Sequence, residues 1–353
     1  PFFQNDTVGK AGMEQHYETY LRGKNGERKF YIDNVGRISE IISSTDSVAG
    51  DDLYLSIDAD LQMATYLALQ NEIAAIVYSN IKSGEIPIND VYTALIGNSV
   101  INTEHFSKSK ASDTEKSVLS VFKSRQKTTL GKIKQELTSS PEALNTMSDE
   151  VLDEFTYIIS MLKDDQVLLK NEIDTSDSVY QKWKDQKISP KEYLNYCITQ
   201  HWIDISQLNV DEKYADSTEV YDALCKYILK NIKTDTEFSK IIYQYMITRG
   251  EISPRQLCLI LFDQGVLDYD DATVNKLKNG SLSPRDFLMK KIYNIEITPA
   301  QLALEPCTGS CVVTDEKTGE ILAMVSYPGY DSNKLANGVD SEYFASLQHD
   351  KSS

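Results

Sequence analysis

The chain has 353 residues, 41% of them apolar and 25% charged, enough for two or three domains with buried cores and unlike a disordered sequence. A net charge of −17 argues against nucleic acid and against a direct grip on anionic lipid, and reads as a soluble surface. No apolar run approaches the ~20 residues of a membrane span, and Pro1-Phe2-Phe3-Gln4 has no basic segment followed by an apolar one, so no signal peptide is visible.

In chain order, the first stretch is punctuated by Gly9, Gly12, Gly23, Gly26, Gly36 and Gly50. Between them lie strand-like runs at Lys29–Ile32 and Leu53–Ile57, and Tyr17–Leu21 carries a short helical pattern, together an α+β texture. From Met63 to Val77 the sequence is mostly apolar and free of Gly and Pro. Leu69, Ile73 and Ile76 make one helical face and Leu61, Ala64 and Ala68 a second, which predicts a well-buried helix. Helical patterns then run to about Leu304, most clearly over Val118–Leu137, Val151–Leu169, Val220–Ile232 and Phe238–Ile247.

The later joints share a form: Ile188-Ser189-Pro190, Ile252-Ser253-Pro254, Leu282-Ser283-Pro284 and Ile297-Thr298-Pro299. Each predicts a helix start. The hydroxyl caps the second or third helical N–H, and proline takes the first position, where its missing N–H costs nothing. Glu192, Gln256 and Gln301, with the shorter Asp286, stand where a side chain can reach back to the cap. The recurrence fits stacked helical hairpins or simply the repeated chemistry of good caps.

Past the helices, Cys311-Val312-Val313 and Ile321–Ser326 flank the polar Thr314–Glu320, which contains Gly319, and Pro328-Gly329 follows: a β-hairpin. Of the five cysteines, Cys197, Cys225 and Cys258 fall in helical patterns and read as buried free thiols. Cys307 and Cys311 are spaced C-x3-C, but the four histidines are distant in sequence, and extended chain at this spacing holds the Cα atoms too far apart for an easy disulfide. No metal site or cofactor is expected, since no phosphate loop, dinucleotide fingerprint or H-E-x-x-H pattern occurs. Acidic pairs such as Asp51-Asp52, Asp164-Asp165 and Asp270-Asp271 read as solvated ends and loops.

Three stretches, in order, resemble class B penicillin-binding proteins. The first is Gly12, Glu14, Tyr17, Leu21-Arg22-Gly23 and Gly26; the second is Gly50-Asp51-Asp52-Leu53, Leu55-Ser56-Ile57-Asp58 and Leu61-Gln62, with Ser56 where the family usually has Thr; the third is the hairpin within 306–331. The family's earlier R-G-x-I-x-D-R-N-G segment is absent, and the helical stretch resembles the inserted region of some Gram-positive members. The resemblance implies an α+β fold in which both ends of the chain form a small β-containing pedestal (1–62 and 306–331). A large all-α domain (63–305) is inserted between them, and 332–353 is the lead-in to a transpeptidase domain that lies outside this chain. Family-motif positions with expected structural roles are Gly12, Glu14, Tyr17, Arg22, Gly23, Asp58, Gln62 and Gly319. Glu14 and Arg22 are about two turns apart on a continuous helix, so each finds another partner or is an ordinary surface charge. Asp58 is placed to cap the helix that begins near Leu61.

The transpeptidase signature combines Ser-x-x-Lys, Ser-x-Asn and Lys-Thr-Gly. Fragments of it occur at Ser79, Ser107, Ser120, Ser124 and Ser160, at Tyr193-Leu194-Asn195, and at Lys317-Thr318-Gly319. They are rejected as a set, because the reaction needs its serine at the start of a buried helix with a desolvated lysine beside it. No catalytic residue is therefore assigned. The resemblance implies a parent D,D-transpeptidase whose serine attacks a stem-peptide D-alanine carbonyl. It also implies an extracytoplasmic location, a membrane anchor not in this chain, and cell-wall synthesis proteins or a second copy as partners. Peptidoglycan would be met only through the catalytic domain. The competing expectation is a stand-alone structural or interaction protein, and a Ser-x-x-Lys soon after Ser353 would decide between them.

Overall fold

A computed structural model of the chain describes residues 8–139, 142–208, 210, 216–335 and 339–349. The opening Pro1-Phe2-Phe3-Gln4 and the end of the expected lead-in, Asp350-Lys351-Ser352-Ser353, lie outside them. Helices dominate, and the described residues contain two antiparallel two-stranded sheets, an α+β architecture with a large helical domain. The chain divides into two compact units. One holds the residues up to Leu69 together with those from Gly309 onward; the other is Gln70–Thr308.

In the first unit, α1 (Gly12–His16) and α2 (Glu18–Leu21) are separated at Tyr17, whose φ of −103° and ψ of 14° interrupt the helix. The helix is therefore not continuous between Glu14 and Arg22. The strands β1 (Glu27–Ile32) and β2 (Ile38–Thr45) form a hairpin. Asp33 closes its turn by accepting from the backbone N–H groups of Val35 and Arg37, and Gly36 supplies the left-handed backbone at φ +80°. β2 carries four β-branched residues among its eight but was not anticipated, because three serines and Glu40 blur its alternation.

Leu53–Ile57, expected as a strand, joins no ladder, and Tyr54 is 89% exposed. Strand propensity measures fit to a pleated, half-buried surface, and this run has no full-length partner. It makes single contacts with the second hairpin instead. That hairpin pairs β3 (Gly309–Thr314) with β4 (Ile321–Tyr327) in the expected place. Alternate residues of β4, Ala323, Val325 and Tyr327, are buried while Met324 and Ser326 are exposed, the period-two pattern of a strand covered on one face. A further helix spans Ser341–His349.

The predicted long helix is α3 (Ala59–Ser83). It is not buried on two faces: Ala64, Ala68 and Ile76 are exposed, and its buried residues are Ile73, Ala74, Val77 and Ile81. The boundary between the units falls inside this helix. Its first turns lie beside β4, whereas Val77 and Ile81 join the core of the second unit, so no single apolar stripe serves its whole length.

The second unit continues with α4 (Ile88–Gly97), α5 (Asp113–Thr138), α6 (Asp149–Asp164), α7 (Ser178–Lys184) and α8 (Pro190–Thr199). It goes on through α9 (Ser217–Ile232), α10 (Thr236–Thr248), α11 (Pro254–Asp263), α12 (Asp271–Asn279), α13 (Pro284–Tyr293) and α14 (Pro299–Leu302). The four predicted starts are realised. Ser189, Ser253, Ser283 and Thr298 accept from the backbone N–H of Glu192, Gln256, Asp286 and Gln301, each with proline opening the helix. The reciprocal bond is made by Gln256 and Gln301, whereas the shorter Asp286 accepts from the Ser283 hydroxyl at 2.7 Å. α6 stops five residues before the predicted Leu169. Gln166 turns the chain at φ +60°, and Val167 and Leu168 are buried beyond the turn, which mimics a helical period in the sequence.

One continuous core joins these helices. Phe122 stacks on Tyr243 at 4.2 Å and Trp183 on Tyr193 at 4.4 Å. Two carboxylates enter it from α6. Glu150 accepts from Arg125 and, in a two-pronged pair at 3.0 and 2.6 Å, from Arg249. One turn on, Glu154 is buried beside it. All five cysteines are free thiols. Burial pushes Cys197 and Cys258 up to about 12 and Cys225 up to about 11.

Candidate interaction surface

The motif residues gather at three places in the first unit. Gly12, Glu14, Tyr17, Arg22 and Gly23 belong to the α1–α2 segment and its exit. Gly12 opens α1 at φ +60°, Glu14 is exposed, and Tyr17 is half-buried with its ring edge-on to His16 at 4.8 Å. The segment is held by close backbone approach. At Gly23, with φ +68°, a Cβ would sit 2.3 Å from the Val48 carbonyl oxygen. At Gly50 it would sit 1.8 Å from the Leu21 carbonyl oxygen. The Lys24–Val48 bridge and the bond from Asp51 N–H to Tyr20 O (2.9 Å) complete the seam. Glu18 was not anticipated as part of this seam. Its carboxylate accepts from Gly9 N–H at 2.8 Å, and nothing in its spacing signals that role.

Asp58 and Gln62 form the second place. Asp58 Oδ1 accepts from Leu61 N–H at 2.8 Å, and its own N–H donates to Leu322 O at 2.9 Å. Gln62 Oε1 accepts from Met324 N–H at 2.8 Å, and the Ser56 hydroxyl donates to Ile321 O at 2.7 Å. These bonds supply partners to backbone groups along β4 that β3 does not reach. Beside them Leu55, Ile57, Met63, Tyr66, Met324 and Tyr330 line an open groove of about 720 Å³.

Gly319 is the third place, in the β3–β4 turn at φ +74°. Backbone N–H groups of Thr318 and Lys317 bond Asp315 and hold its carboxyl below the ordinary range. Lys317-Thr318-Gly319 is thus the tip of a hairpin. The serines of the Ser-x-x-Lys fragments are placed as follows. Ser79 lies in the last turns of α3, Ser120 and Ser124 within α5, and Ser160 within α6. Ser107 ends a single 3-10 turn, with its hydroxyl bonded to Glu104 O.

The β1–β2 hairpin is an exposed apolar surface, with every residue of both strands open to solvent. The cross-strand pairs Phe30–Ile41 and Ile32–Ile38 set four apolar side chains on one face. Ile32 is 62% exposed and Val35, at the turn, 70%. A two-stranded hairpin is marginal alone in water, and burying each such side chain contributes roughly 1.5–3 kcal/mol, so this face is suited to association. Among the described residues no helix is long and apolar enough to cross a membrane, and no cluster of three metal-binding side chains occurs.

Residues 2–55 match the model of the penicillin-binding protein dimerisation domain, which takes in α1, α2 and the β1–β2 hairpin. The chain is similar to peptidoglycan D,D-transpeptidase FtsI of Escherichia coli strain K12, 35% identical over 118 residues, which are 33% of this chain and 19% of that protein. Peptidoglycan D,D-transpeptidase MrdA of Salmonella typhimurium strain SL1344 is 32% identical over 79 residues, 22% of this chain and 13% of that protein. Penicillin-binding protein 3 of Bacillus subtilis strain 168 is 36% identical over 84 residues, 24% of this chain and 12% of that protein. The match thus spans about a fifth or less of each relative's length. No solved structure shows a significant likeness. The chain carries a penicillin-binding protein dimerisation domain at its N-terminus and is related to class B penicillin-binding proteins.

Proposed function

We propose that this chain is the non-catalytic pedestal of a peptidoglycan D,D-transpeptidase in cell-wall synthesis, interrupted by a helical domain at 63–305. The β1–β2 face is its contact surface for a second copy or for cell-wall synthesis proteins. The observation that carries this is the open apolar face of β1–β2 inside the very residues that match the dimerisation domain. The bonds from Ser56, Asp58 and Gln62 to β4 support a pedestal assembled from both ends of the chain. In the intact protein this body stands outside the cytoplasm, tied to the membrane by an anchor, and sets the position of a serine acyl-transfer domain.

Sedimentation velocity of the chain, with and without the double substitution Ile38→Glu and Ile41→Glu, tests the contact surface. Concentration-dependent association is expected for the unaltered chain and at least tenfold weaker association for the variant. Equal association of the two removes the hairpin from the interface. Labelled penicillin tests the non-catalytic role: no covalent adduct is expected, and an adduct on Ser107 overturns it.

A further inference from the structure

In a chain this acidic, one groove of the helical unit gathers three cations against a single acid. Tyr78 and Lys82 of α3 face Arg285, Asp286, Met289, Lys290 and Tyr293 of α13 across a space of about 350 Å³. The spacing explains the convergence. Tyr78 and Lys82 are four apart on one helix face, and Arg285, Met289 and Tyr293 repeat at four on the other. Arg285 is held in place by a bond from its guanidinium to Ile81 O at 3.3 Å, at the carboxyl end of α3. Tyr78 and Tyr293 meet edge-to-face at 5.2 Å, and Tyr293 is 60% exposed.

Elsewhere in this unit Arg125, Arg249, Lys240 and Lys291 are engaged by carboxylates. Among the described residues, Lys82, Arg285 and Lys290 have no carboxylate within ion-pair range. The single acid of the groove, Asp286, receives the Ser283 hydroxyl at the start of α13. Three cations against one carboxylate leave an excess matched by a dianion. A guanidinium and two ammonium groups around one space are phosphate-binding chemistry, and a monovalent carboxylate leaves part of that charge unanswered. The two tyrosine rings and Met289 provide an apolar wall on which a ring or other flat group can rest.

The geometry points to a binding site for a phosphate monoester that carries a flat apolar group, with Lys82, Arg285 and Lys290 on the phosphoryl oxygens and Tyr78 and Tyr293 against the attached group. It is independent of the pedestal reading, since it uses only residues of the helical unit.

Calorimetric titration of the full chain with phenyl phosphate, inorganic phosphate and benzoate tests it. Phenyl phosphate is expected to bind at least tenfold more tightly than either of the others. The exposed-lysine double variant Lys82→Gln and Lys290→Gln should weaken it at least tenfold with an unchanged far-ultraviolet spectrum. The Arg pair at the same positions should restore most of the affinity, and Tyr293→Ala should weaken phenyl phosphate but not inorganic phosphate. Phenyl phosphate binding no tighter than benzoate overturns the assignment. So does an equal loss in a control pair on another surface, Lys182→Gln and Lys184→Gln. Should the glutamine pair fail to fold, loss of phenyl phosphate binding on Tyr293→Ala alone, with inorganic phosphate unaffected, decides for the site; its absence decides against.

Discussion

Glu154 offers the sharpest quantitative test of the helical unit. Burial, then the neighbouring Glu150 charge, pushes its carboxyl from the ordinary 4.5 up to about 8, against the pull of Lys132 and Arg125. Between those values the folded chain keeps a proton that the unfolded chain gives up. Stability linked to this group is therefore fully present below 4.5 and is lost as pH rises to about 8. At about 1.36 kcal/mol per pH unit, the full loss is ~5 kcal/mol, an upper figure that water entering around the charged form would reduce. Glu154→Gln keeps the shape of the protonated acid and removes its titration. Urea unfolding followed at the helical circular-dichroism band, at about pH 5 and about pH 9, compares the two chains. The variant should match the unaltered chain at the lower pH and exceed it by several kcal/mol at the higher one. Other titrating groups act on both chains and cancel in the difference. A gap that stays constant within ~0.5 kcal/mol between the two conditions refutes an uncharged, buried Glu154.

Glu150→Ala leaves Arg249 without its carboxylate and Arg125 with only its 3.6 Å contact to Glu251, and should cost roughly 3–5 kcal/mol by urea midpoint; a loss under ~1 kcal/mol would contradict the pairing. Gly50→Ala drives a methyl into the Leu21 carbonyl and should destabilise the first unit at the upper end of the roughly 1–3 kcal/mol expected of overpacking. Hydrogen exchange at residues 20–24 and 48–51 should accelerate selectively in that variant. Ser253→Ala removes a reciprocal cap and should cost about 1 kcal/mol in thermal unfolding. Toward Ellman's reagent at neutral pH, Cys197, Cys225 and Cys258 should stay silent until the chain is denatured, while the half-exposed Cys311 reacts; rapid native labelling of Cys258 would contradict its burial.

What was legible in the sequence was chemistry that acts over a few residues. The starts at Ser189, Ser253, Ser283 and Thr298 are written by a hydroxyl and a proline, with Gln256 and Gln301 adding a side chain that reaches back, and nothing distant alters them. The β3–β4 hairpin was equally plain, because its alternation and its glycine turn agree. Misreadings arose where the outcome depends on a remote neighbour. Leu53–Ile57 has the composition of a strand but no partner to pair with, and α3 changes its surroundings partway along. The basic groove was invisible for the same reason. Lys82 and Lys290 are ordinary lysines until the fold sets them around one space, and no spacing along the chain predicts that meeting. At the surface, Gly50 was recognised as a motif residue, but its reason, the Leu21 carbonyl, is a contact between segments that only the fold brings together.

The fastening of Ser56, Asp58 and Gln62 onto β4 has a consequence for how such proteins can diverge. Its hydrogen bonds join residues as far as 265 apart, yet they fix only the two points where the polypeptide departs from one small body and rejoins it. A module spliced between such points can lengthen, shrink or acquire a new surface without changing the register of the strands that host it, because the ladder carries no record of the intervening length. Novelty can then accumulate in the excursion while the host body stays under its own, separate constraint.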